Sequence, residues 1–284
     1  TFEANPDSVT IESLSALRTA GFNRISIGMQ SAVPEVLKTL ERTHDPENVS
    51  IALEIAKSLG FRTSLDLIFG APGETLQQWE QTIRQVIDLD PGHLSAYSLI
   101  VEPGTKLARQ INSGELAQVD EDLQADKYEL ADKLLSEAGY NWYEISNWSK
   151  TPELKSNHNL AYWSGQDWWG YGPGAHSHLG SVRWWNHKHP LSYANLLEKN
   201  VSPAAGREQL DRETSALERI LLESRTSEGM SIEQIKKLQP GSEVAISQLI
   251  ADGLIEGPKA IAGKLLLTLK GRLLADAVVR ALSN

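Results

Sequence analysis

The chain contains no cysteine among its 284 residues. This absence excludes disulfide bonds, and it excludes zinc or iron–sulfur sites held by thiolates from within these residues. The sequence also lacks any apolar run of about eighteen residues, the length that a membrane-spanning helix needs. Its first ten residues, TFEANPDSVT, have neither a basic start nor a continuous apolar stretch. We therefore expect no membrane span and no secretory signal, and we predict a cytoplasmic protein.

Positive charge is scarce, because 27 Lys and Arg stand against 37 Asp and Glu and give a net charge of −10. A nucleic-acid-binding protein relies on Lys and Arg to neutralise phosphates, so this balance argues against nucleic acid as a partner. Hydrophobic residues make up 40 % of the chain and charged residues 23 %. That composition is typical of a globular protein, and the length allows one large domain and one small domain.

Strand patterns alternate with helical patterns through residues 1–105. The strand patterns are TFEANP, NRISIGMQS, FRTSLDLIFG and HLSAYSLIVEPG, and the helical patterns cover residues 8–21, 34–42, 46–59 and 74–90. Such alternation predicts four βα units, and therefore an α/β fold with a parallel sheet or barrel. The chain also starts within a strand pattern and without an initiator methionine, which we interpret as an interior start.

Polar residues occur where these strands are expected to end. They are Glu3 and Asn5, Gln30, Asp66, and Ser98 to Glu102. Because ligands of parallel α/β sheets bind at the carboxyl ends of the strands, this convergence predicts a ligand site there. Asp66 is the most informative, because a carboxylate inside a buried strand needs hydrogen-bond donors. Backbone amides of a neighbouring loop are an alternative source of those donors, and would make Asp66 purely structural.

Residues 206–284 are predicted to form a separate domain. Their patterns read as helix, short helix, helix, strand and final helix, which is a winged-helix-like order. Many winged helices bind DNA, but the candidate recognition helix, residues 243–252, has no Lys or Arg, and the segment has 11 basic and 11 acidic residues. We therefore predict packing or partner docking rather than DNA binding.

Five short motifs carry a resemblance to a known family. In chain order they are EANP, ISIGMQS, LERTHD, LDLIFGAPGET and HNLAYW. Together they resemble the radical S-adenosylmethionine (radical SAM) proteins related to oxygen-independent coproporphyrinogen III oxidase. The last motif matches HNxxYW, which marks the haem chaperone branch of that family. The resemblance extends over nearly the whole chain, and it implies a partial (β/α) radical SAM barrel followed by the winged-helix-like domain.

The resemblance also implies cofactors. Members of the family bind a 4Fe–4S cluster through a CxxxCxxC loop after their first barrel strand, and no such loop occurs here. We therefore interpret the chain as a fragment without its N-terminal third, with the cluster confined to the full-length parent. The implied divisions are a partial barrel at 1–105, a barrel extension with an aromatic and histidine-rich segment at 106–205, and the C-terminal domain at 206–284.

Position by position, the resemblance assigns five residues to S-adenosylmethionine. They are Glu3, Gln30, Arg42, Asp66 and Ile100. Carboxylates and an amide suit ribose hydroxyls and an ammonium group, whereas an arginine can pair with a carboxylate through two hydrogen bonds. Ile100 would form an apolar wall. For Arg42, a solvated cation favoured by a helix dipole is the alternative interpretation.

Seven of the eight tryptophans lie between Trp142 and Trp185, in the same region as the HNLAYW motif. Such a density fits either a buried core or a site for a large, flat, apolar ligand. The resemblance points to haem, with His158 and His176 as candidate axial ligands and with Asn159 and Tyr162 in support. We expect the nearby histidines His178, His187 and His189 to be neutral surface residues.

Three functions remain open at this point. The first is a haem chaperone that binds haem and passes it to acceptor proteins. The second is an oxygen-independent coproporphyrinogen III dehydrogenase, which decarboxylates propionate side chains oxidatively in porphyrin biosynthesis. The third is an interaction protein without a cofactor. The HNxxYW match favours the first over the second. The sequence leaves open whether the parent is an enzyme, whether it contacts a membrane surface peripherally, and its oligomeric state.

Overall fold

The computed structural model describes residues 1–283, which divide into two compact units. The first unit is Thr1–Ser156, and the second begins at Asn157. Residues 106–156 thus belong to the first unit and residues 157–205 to the second. The domain boundaries at 105 and 205, which come from the sequence alone, stay a prediction.

The first unit is built on a six-stranded sheet. Its strands are β1 (Phe2–Ala4), β2 (Arg24–Gln30), β3 (Arg62–Phe69), β4 (His93–Ser98), β5 (Asn141–Glu144) and β6 (Asn147–Ser149). They lie in the order β1-β2-β3-β4-β6-β5. The first four strands are parallel, whereas β6 runs antiparallel to β4 and β5 antiparallel to β6. The predicted α/β fold with parallel strands is confirmed.

Helices connect these strands. They are α1 (Ile11–Thr19), α2 (Pro34–Thr39), α3 (Pro46–Ser58), α4 (Leu76–Leu89), α5 (Lys106–Asn112) and α6 (Glu121–Glu137), with 3₁₀ turns at Pro6–Ser8 and Pro152–Leu154. Thr10 and Thr75 begin α1 and α4 as N-caps within capping boxes. Helix α2 ends earlier than the predicted residue 42, because Glu41 takes a left-handed φ of 54° that a helix cannot continue.

The two faces of the sheet differ in chemistry. Alternate residues of β2 and β3, such as Ile27 and Leu65, form an apolar face on which α3 packs. The opposite face carries polar residues in register across three strands, among them Asp66 beside Gly28 and Ser95. We expected these strands to be buried on both faces, as parallel strands commonly are. The polar face supplies the hydrogen-bonding side chains of the site described below.

A buried ion pair joins the turn after β3 to helix α6. The Lys127 Nζ atom lies 2.8 Å from Glu74 Oε2 and donates to the Glu74 carbonyl oxygen at 2.7 Å. Both side chains are almost fully shielded, with exposed fractions of 1 % and 0 %. The same carboxylate oxygen accepts a hydrogen bond from the Gly70 amide at 2.7 Å, and Trp79 donates to the Lys127 carbonyl at 2.8 Å. The pair therefore fixes the turn, the start of α4 and α6 together.

The second unit contains a three-stranded antiparallel sheet followed by a helical region. Its elements are α7 (Asn157–Trp163), β7 (His176–Leu179), β8 (Val182–Asn186), α8 (Pro190–Glu198), β9 (Ala204–Gln209), α9 (Arg212–Glu223), β10 (Met230–Ser231), α10 (Ile232–Leu238), α11 (Glu243–Ala251), α12 (Gly257–Ile261), β11 (Lys264–Leu265), α13 (Leu269–Leu273) and α14 (Ala275–Ser283). The sheet order is β7-β8-β9.

The helical region has a winged-helix order. Helix α9 leads through β10 to α10 and α11, β10 pairs antiparallel with β11, and a bridge joins Ile255 to Leu267. The sequence pattern missed β10, which is only two residues long. It also predicted one final helix, where the structure has α13 and α14. Among residues 1–283, no helix combines the length and the apolar character needed to cross a membrane.

We expect Lys127→Met to lower the free energy of unfolding of the first unit by about 3–5 kcal/mol, because it leaves the Glu74 carboxylate buried without a counter-ion. Urea denaturation followed by tryptophan fluorescence measures this change. Arg84→Met in the same unit is the control, since its pair with Glu80 is exposed and should be worth under about 1 kcal/mol. Equal effects of the two substitutions would contradict the role given to the buried pair.

Candidate functional site

A cavity of about 270 Å³ opens at the carboxyl ends of β1, β2 and β3. Its lining residues are Glu3, Ala4, Asn5, Gly28, Gln30, Arg42, His44 and Asp66. The structure therefore brings together four of the five residues that the resemblance assigns to S-adenosylmethionine, although they lie as far as 63 positions apart in the sequence. The parallel register of the strands produces this convergence, because it aligns their carboxyl ends at one edge of the sheet.

Asp66 is held by hydroxyl groups. The Ser26 Oγ atom donates to both carboxylate oxygens at 2.8 Å, and Ser95 on the neighbouring strand provides a further side-chain hydrogen bond. The donors are thus side chains of adjacent strands rather than the loop amides that we considered from the sequence. Burial raises the pKa of Asp66 above its ordinary value, the serine bonds oppose this rise, and the charge of Glu3 adds to it.

Gln30 ends β2 in an unusual backbone conformation. Its φ is 63°, and the pairing register of β2 with β3 shifts between Gly28 and Gln30. The side chain folds back over Gly28, where a Cβ atom would lie only 2.8 Å from the Gln30 Nε2 atom. Glycine at position 28 therefore leaves the space that the Gln30 amide occupies.

Arg42 and His44 reach the cavity from the loop between α2 and α3. Arg42 is exposed, and its amide donates to the Leu37 carbonyl at 2.9 Å, which closes the end of α2. His44 is buried, and its Nε2 atom lies 3.1 Å from the carbonyl oxygen of Met29. We did not select His44 from the sequence. Its only signal was its place in the LERTHD motif, two residues after Arg42.

Ile100 lies apart from this group. It is 75 % exposed and is not among the residues that line the cavity. The segment Ser98 to Glu102 that follows β4 likewise contributes no lining residue to it. The apolar wall assigned to Ile100 stays a prediction.

The HNLAYW motif lies on helix α7, where aromatic rings form a continuous row. His158 contacts Tyr162 edge-to-face with ring centroids 4.9 Å apart, Tyr162 contacts Trp168 at 5.0 Å, and Trp168 contacts His178 at 4.9 Å. His158 is exposed at one end of the row. Asn159 is on the same helix and is only partly exposed. This row of ring contacts therefore links the signature residues on α7, through Trp168, to His178 in strand β7.

His176 has different neighbours. It is exposed at the start of β7, and its ring stacks on Trp185 with centroids 6.0 Å apart and an interplanar angle of 29°. No ring contact in the described part of the chain joins His176 to His158. The backbone carbonyl of His176 lies against Gly170, where a Cβ atom would come within 2.1 Å of that oxygen. This glycine is needed for backbone packing.

The three histidines that we expected at the surface differ from one another. His189 is exposed and His187 is partly buried. Both ring nitrogens of His178, however, are shielded from solvent and have no hydrogen-bond partner among the described residues. The expectation of a surface histidine is therefore wrong for the nitrogens of the His178 imidazole, whose ring contacts Trp168 edge-to-face.

The tryptophans divide between the two interpretations made from the sequence. Trp148 is completely buried in the first unit, where it donates to Asp132 at 2.9 Å and packs on Tyr128. Trp169 in the second unit is 59 % exposed and contacts Trp184 edge-to-face. Part of this tryptophan-rich region is thus core, and part is an accessible aromatic surface.

Comparison with known proteins places these features in context. Residues 1–86 match the family described as the Radical SAM superfamily. The heme chaperone HemW of Mycobacterium tuberculosis is 44 % identical over 281 residues, which are 99 % of this chain and 70 % of that protein. HemW of Bacillus subtilis is 33 % identical over 285 residues, covering 98 % of this chain and 74 % of that protein.

Among solved structures, coproporphyrinogen III oxidase (HemN) from Escherichia coli, described as a radical SAM enzyme, superposes with a TM-score of 0.81. The match covers 99 % of this chain and 69 % of that one at 22 % sequence identity. At this level of identity the likeness is one of fold.

We expect Asp66→Asn to stabilise the first unit at neutral pH. A carboxyl whose pKa is raised on folding destabilises the fold in its charged form, so this cost is absent below the unfolded-state pKa and grows as pH rises through the folded-state value. The melting temperature of the variant should therefore match that of the unsubstituted chain near pH 4 and exceed it at pH 7.

Asp90→Asn in the same unit should change the stability at neutral pH in the opposite direction. Its hydrogen bond with Lys150 lowers the pKa of Asp90, so the carboxylate stabilises the fold above the unfolded-state pKa and the variant should lose stability at neutral pH. The same melting curves at both pH values measure the two variants. At each pH the variant is compared with the unsubstituted chain. If Asp66→Asn melts at a lower temperature than the unsubstituted chain at pH 7, our account is contradicted.

Proposed function

This chain belongs to the radical SAM proteins of the heme chaperone HemW group. On that premise we propose two functions: the chain binds S-adenosylmethionine at the strand-end cavity, and it carries haem for delivery to acceptor proteins. The observation that carries the first part is the convergence of Glu3, Gln30, Arg42 and Asp66 on one cavity. The names of the relatives support the second part.

The cavity chemistry suits part of S-adenosylmethionine. The carboxylates of Glu3 and Asp66 accept hydrogen bonds from ribose hydroxyls or an ammonium group, and the Gln30 amide both donates and accepts. Arg42 supplies a cation for a carboxylate. A volume of about 270 Å³ lies just below the range of about 300–1,000 Å³ that is usual for small-molecule sites, so we assign it to part of the cofactor rather than to all of it.

The 4Fe–4S cluster of the radical SAM family does not fit the residues of this chain. A cluster of this kind is held by cysteine thiolates, and the 284 residues contain none. We therefore assign no chemical step to a cluster. What this chain contributes is the binding and orientation of the organic cofactor.

For haem, we propose His158 and His176 as the iron-binding candidates. Both residues are exposed, so a ligand can approach them from solvent. Haem supplies an iron that accepts imidazole nitrogen and a flat apolar ring that packs on aromatic side chains. Tyr162 beside His158 and Trp185 beside His176 provide such side chains. Asn159 completes the motif with a polar group on the same helix.

The acceptor is proposed to be a haem-binding protein. The likeness to coproporphyrinogen III oxidase concerns the fold alone and favours no second function. In the C-terminal region, α11 has no Lys or Arg and exposes Val244, which agrees with contacts to protein rather than to nucleic acid.

We expect Gln30→Ala to weaken S-adenosylmethionine binding by about 1–3 kcal/mol, because Gln30 hydrogen bonds are lost inside the cavity. Isothermal titration calorimetry measures the affinity, and thermal melting checks the fold. Gln81→Ala, on the exposed side of α4, is the matched control and should bind as the unsubstituted chain does. Identical affinities of both variants would remove Gln30 from the site.

We expect His158→Ala or His176→Ala to shift or weaken the Soret band of added haem, because an iron ligand is lost. A changed spin-state spectrum with retained affinity would identify ligation specifically. His189→Ala, an exposed histidine whose side chain makes no cap bond at the start of α8, should leave the spectrum unchanged. Unchanged spectra of both candidate variants would return α7 and β7 to a structural role.

A further inference from the structure

The backbone around Gln30 forms a tight turn that needs support. The Ser31 amide donates to the Met29 carbonyl at 2.8 Å, with Gln30 between them at a φ of 63°. A hydrogen bond from residue i+2 to residue i around a positive φ is the classic γ-turn, which is rare and strained. A strained backbone persists only where neighbouring groups hold it in place.

One support comes from helix α4. The Thr82 Oγ1 atom accepts a hydrogen bond from the Ala32 amide at 3.1 Å and lies 3.2 Å from the Ser31 hydroxyl oxygen. The Ser31 hydroxyl oxygen also accepts from the Val33 amide at 3.1 Å. These bonds fix the chain after Gln30, but they do not touch the carbonyl that precedes it.

The second support is the His44 imidazole. Its Nε2 atom lies 3.1 Å from the Met29 carbonyl oxygen, and because a carbonyl only accepts, Nε2 carries the proton. His44 is 6 % exposed, so its imidazole is largely removed from solvent. The Met29 carbonyl thus accepts from both Ser31 and His44, and His44 is the contact that reaches it from another loop of the chain.

We propose that His44 is a positioning residue that holds the turn at Met29–Ser31 and thereby sets the Gln30 amide over Gly28 in the cavity. Without His44 the turn relaxes to an ordinary strand end, and the Gln30 side chain leaves the space above Gly28. The consequence for S-adenosylmethionine rests on the proposed function of the cavity. The consequence for the Gln30 backbone does not.

The first test therefore needs no ligand. In NMR spectra of the full chain, Gln30 should show the strong intraresidue NOE between its amide proton and Hα that a positive φ produces. His44→Ala should remove this signal, whereas His44→Gln should keep it, because the glutamine Nε2 can occupy the position of the histidine Nε2. His44→Asn is too short to reach Met29 and should behave as the alanine variant does.

The matched control is His93→Gln. His93 is the other buried histidine of the first unit, and its ring bonds to Ser64 and Tyr143 rather than to the turn. This substitution tests whether a general loss of stability alters Gln30. It should lower the melting temperature and leave the Gln30 signal unchanged.

The second test measures S-adenosylmethionine affinity. His44→Ala should weaken binding about tenfold, roughly the effect of one lost hydrogen bond, and His44→Gln should restore it. In a Gln30→Ala background the further change His44→Ala should have no effect, because the residue that it positions is gone.

The outcomes separate this inference from the proposed function. An unaltered Gln30 signal in a folded His44→Ala variant overturns the inference, and so do additive effects of the two substitutions on affinity. If the unsubstituted chain binds no S-adenosylmethionine while His44→Ala still changes the Gln30 signal, the proposed function fails and the positioning role stands. If His44→Ala does not fold, the contrast between His44→Gln and His44→Asn decides the question.

Discussion

The ammonium of Lys127 and the carboxylate of Glu74, both shielded from water, form the contact on which the first unit depends. Neither charge is tolerable in the interior without the other, so α6 and the turn after β3 have to remain together. The turn in turn sets the start of α4 at Thr75, and α4 carries Thr82, which holds the residues after Gln30. The geometry of the cavity is thus linked to an ion pair outside its lining.

The part of the fold that the sequence predicts well is the part with a strong periodic pattern. Strands β1 to β4 and the helices between them follow from alternating apolar segments, and Asp66 was recognised because a carboxylate in a strand needs donors. The pattern did not reveal that one sheet face is polar, since Ser26 and Ser95 are unremarkable until register aligns them with Asp66. It also gave no reason to expect β6 between β4 and β5.

Site residues divide in the same way. Glu3, Gln30 and Asp66 lie on strands, so their convergence follows from the sheet, whereas His44 lies in a loop whose path the sequence does not determine. Around the HNLAYW motif, the number of aromatic residues was visible in the sequence, but their division was not. Side-chain packing in the folded chain determines that Trp148 is buried and Trp169 exposed. It also determines that Trp168 contacts the His178 ring.

The sheet of the first unit is open, with β1 at one edge and β5 at the other. The backbone of β1 pairs with β2 on one side only within the described residues, so its other side presents amide and carbonyl groups along a short parallel ladder. Such an edge is a template for strand addition by another polypeptide segment, whether from the same protein or from a second molecule. Among the described residues, the β1 edge is thus a place where a further strand can extend this sheet.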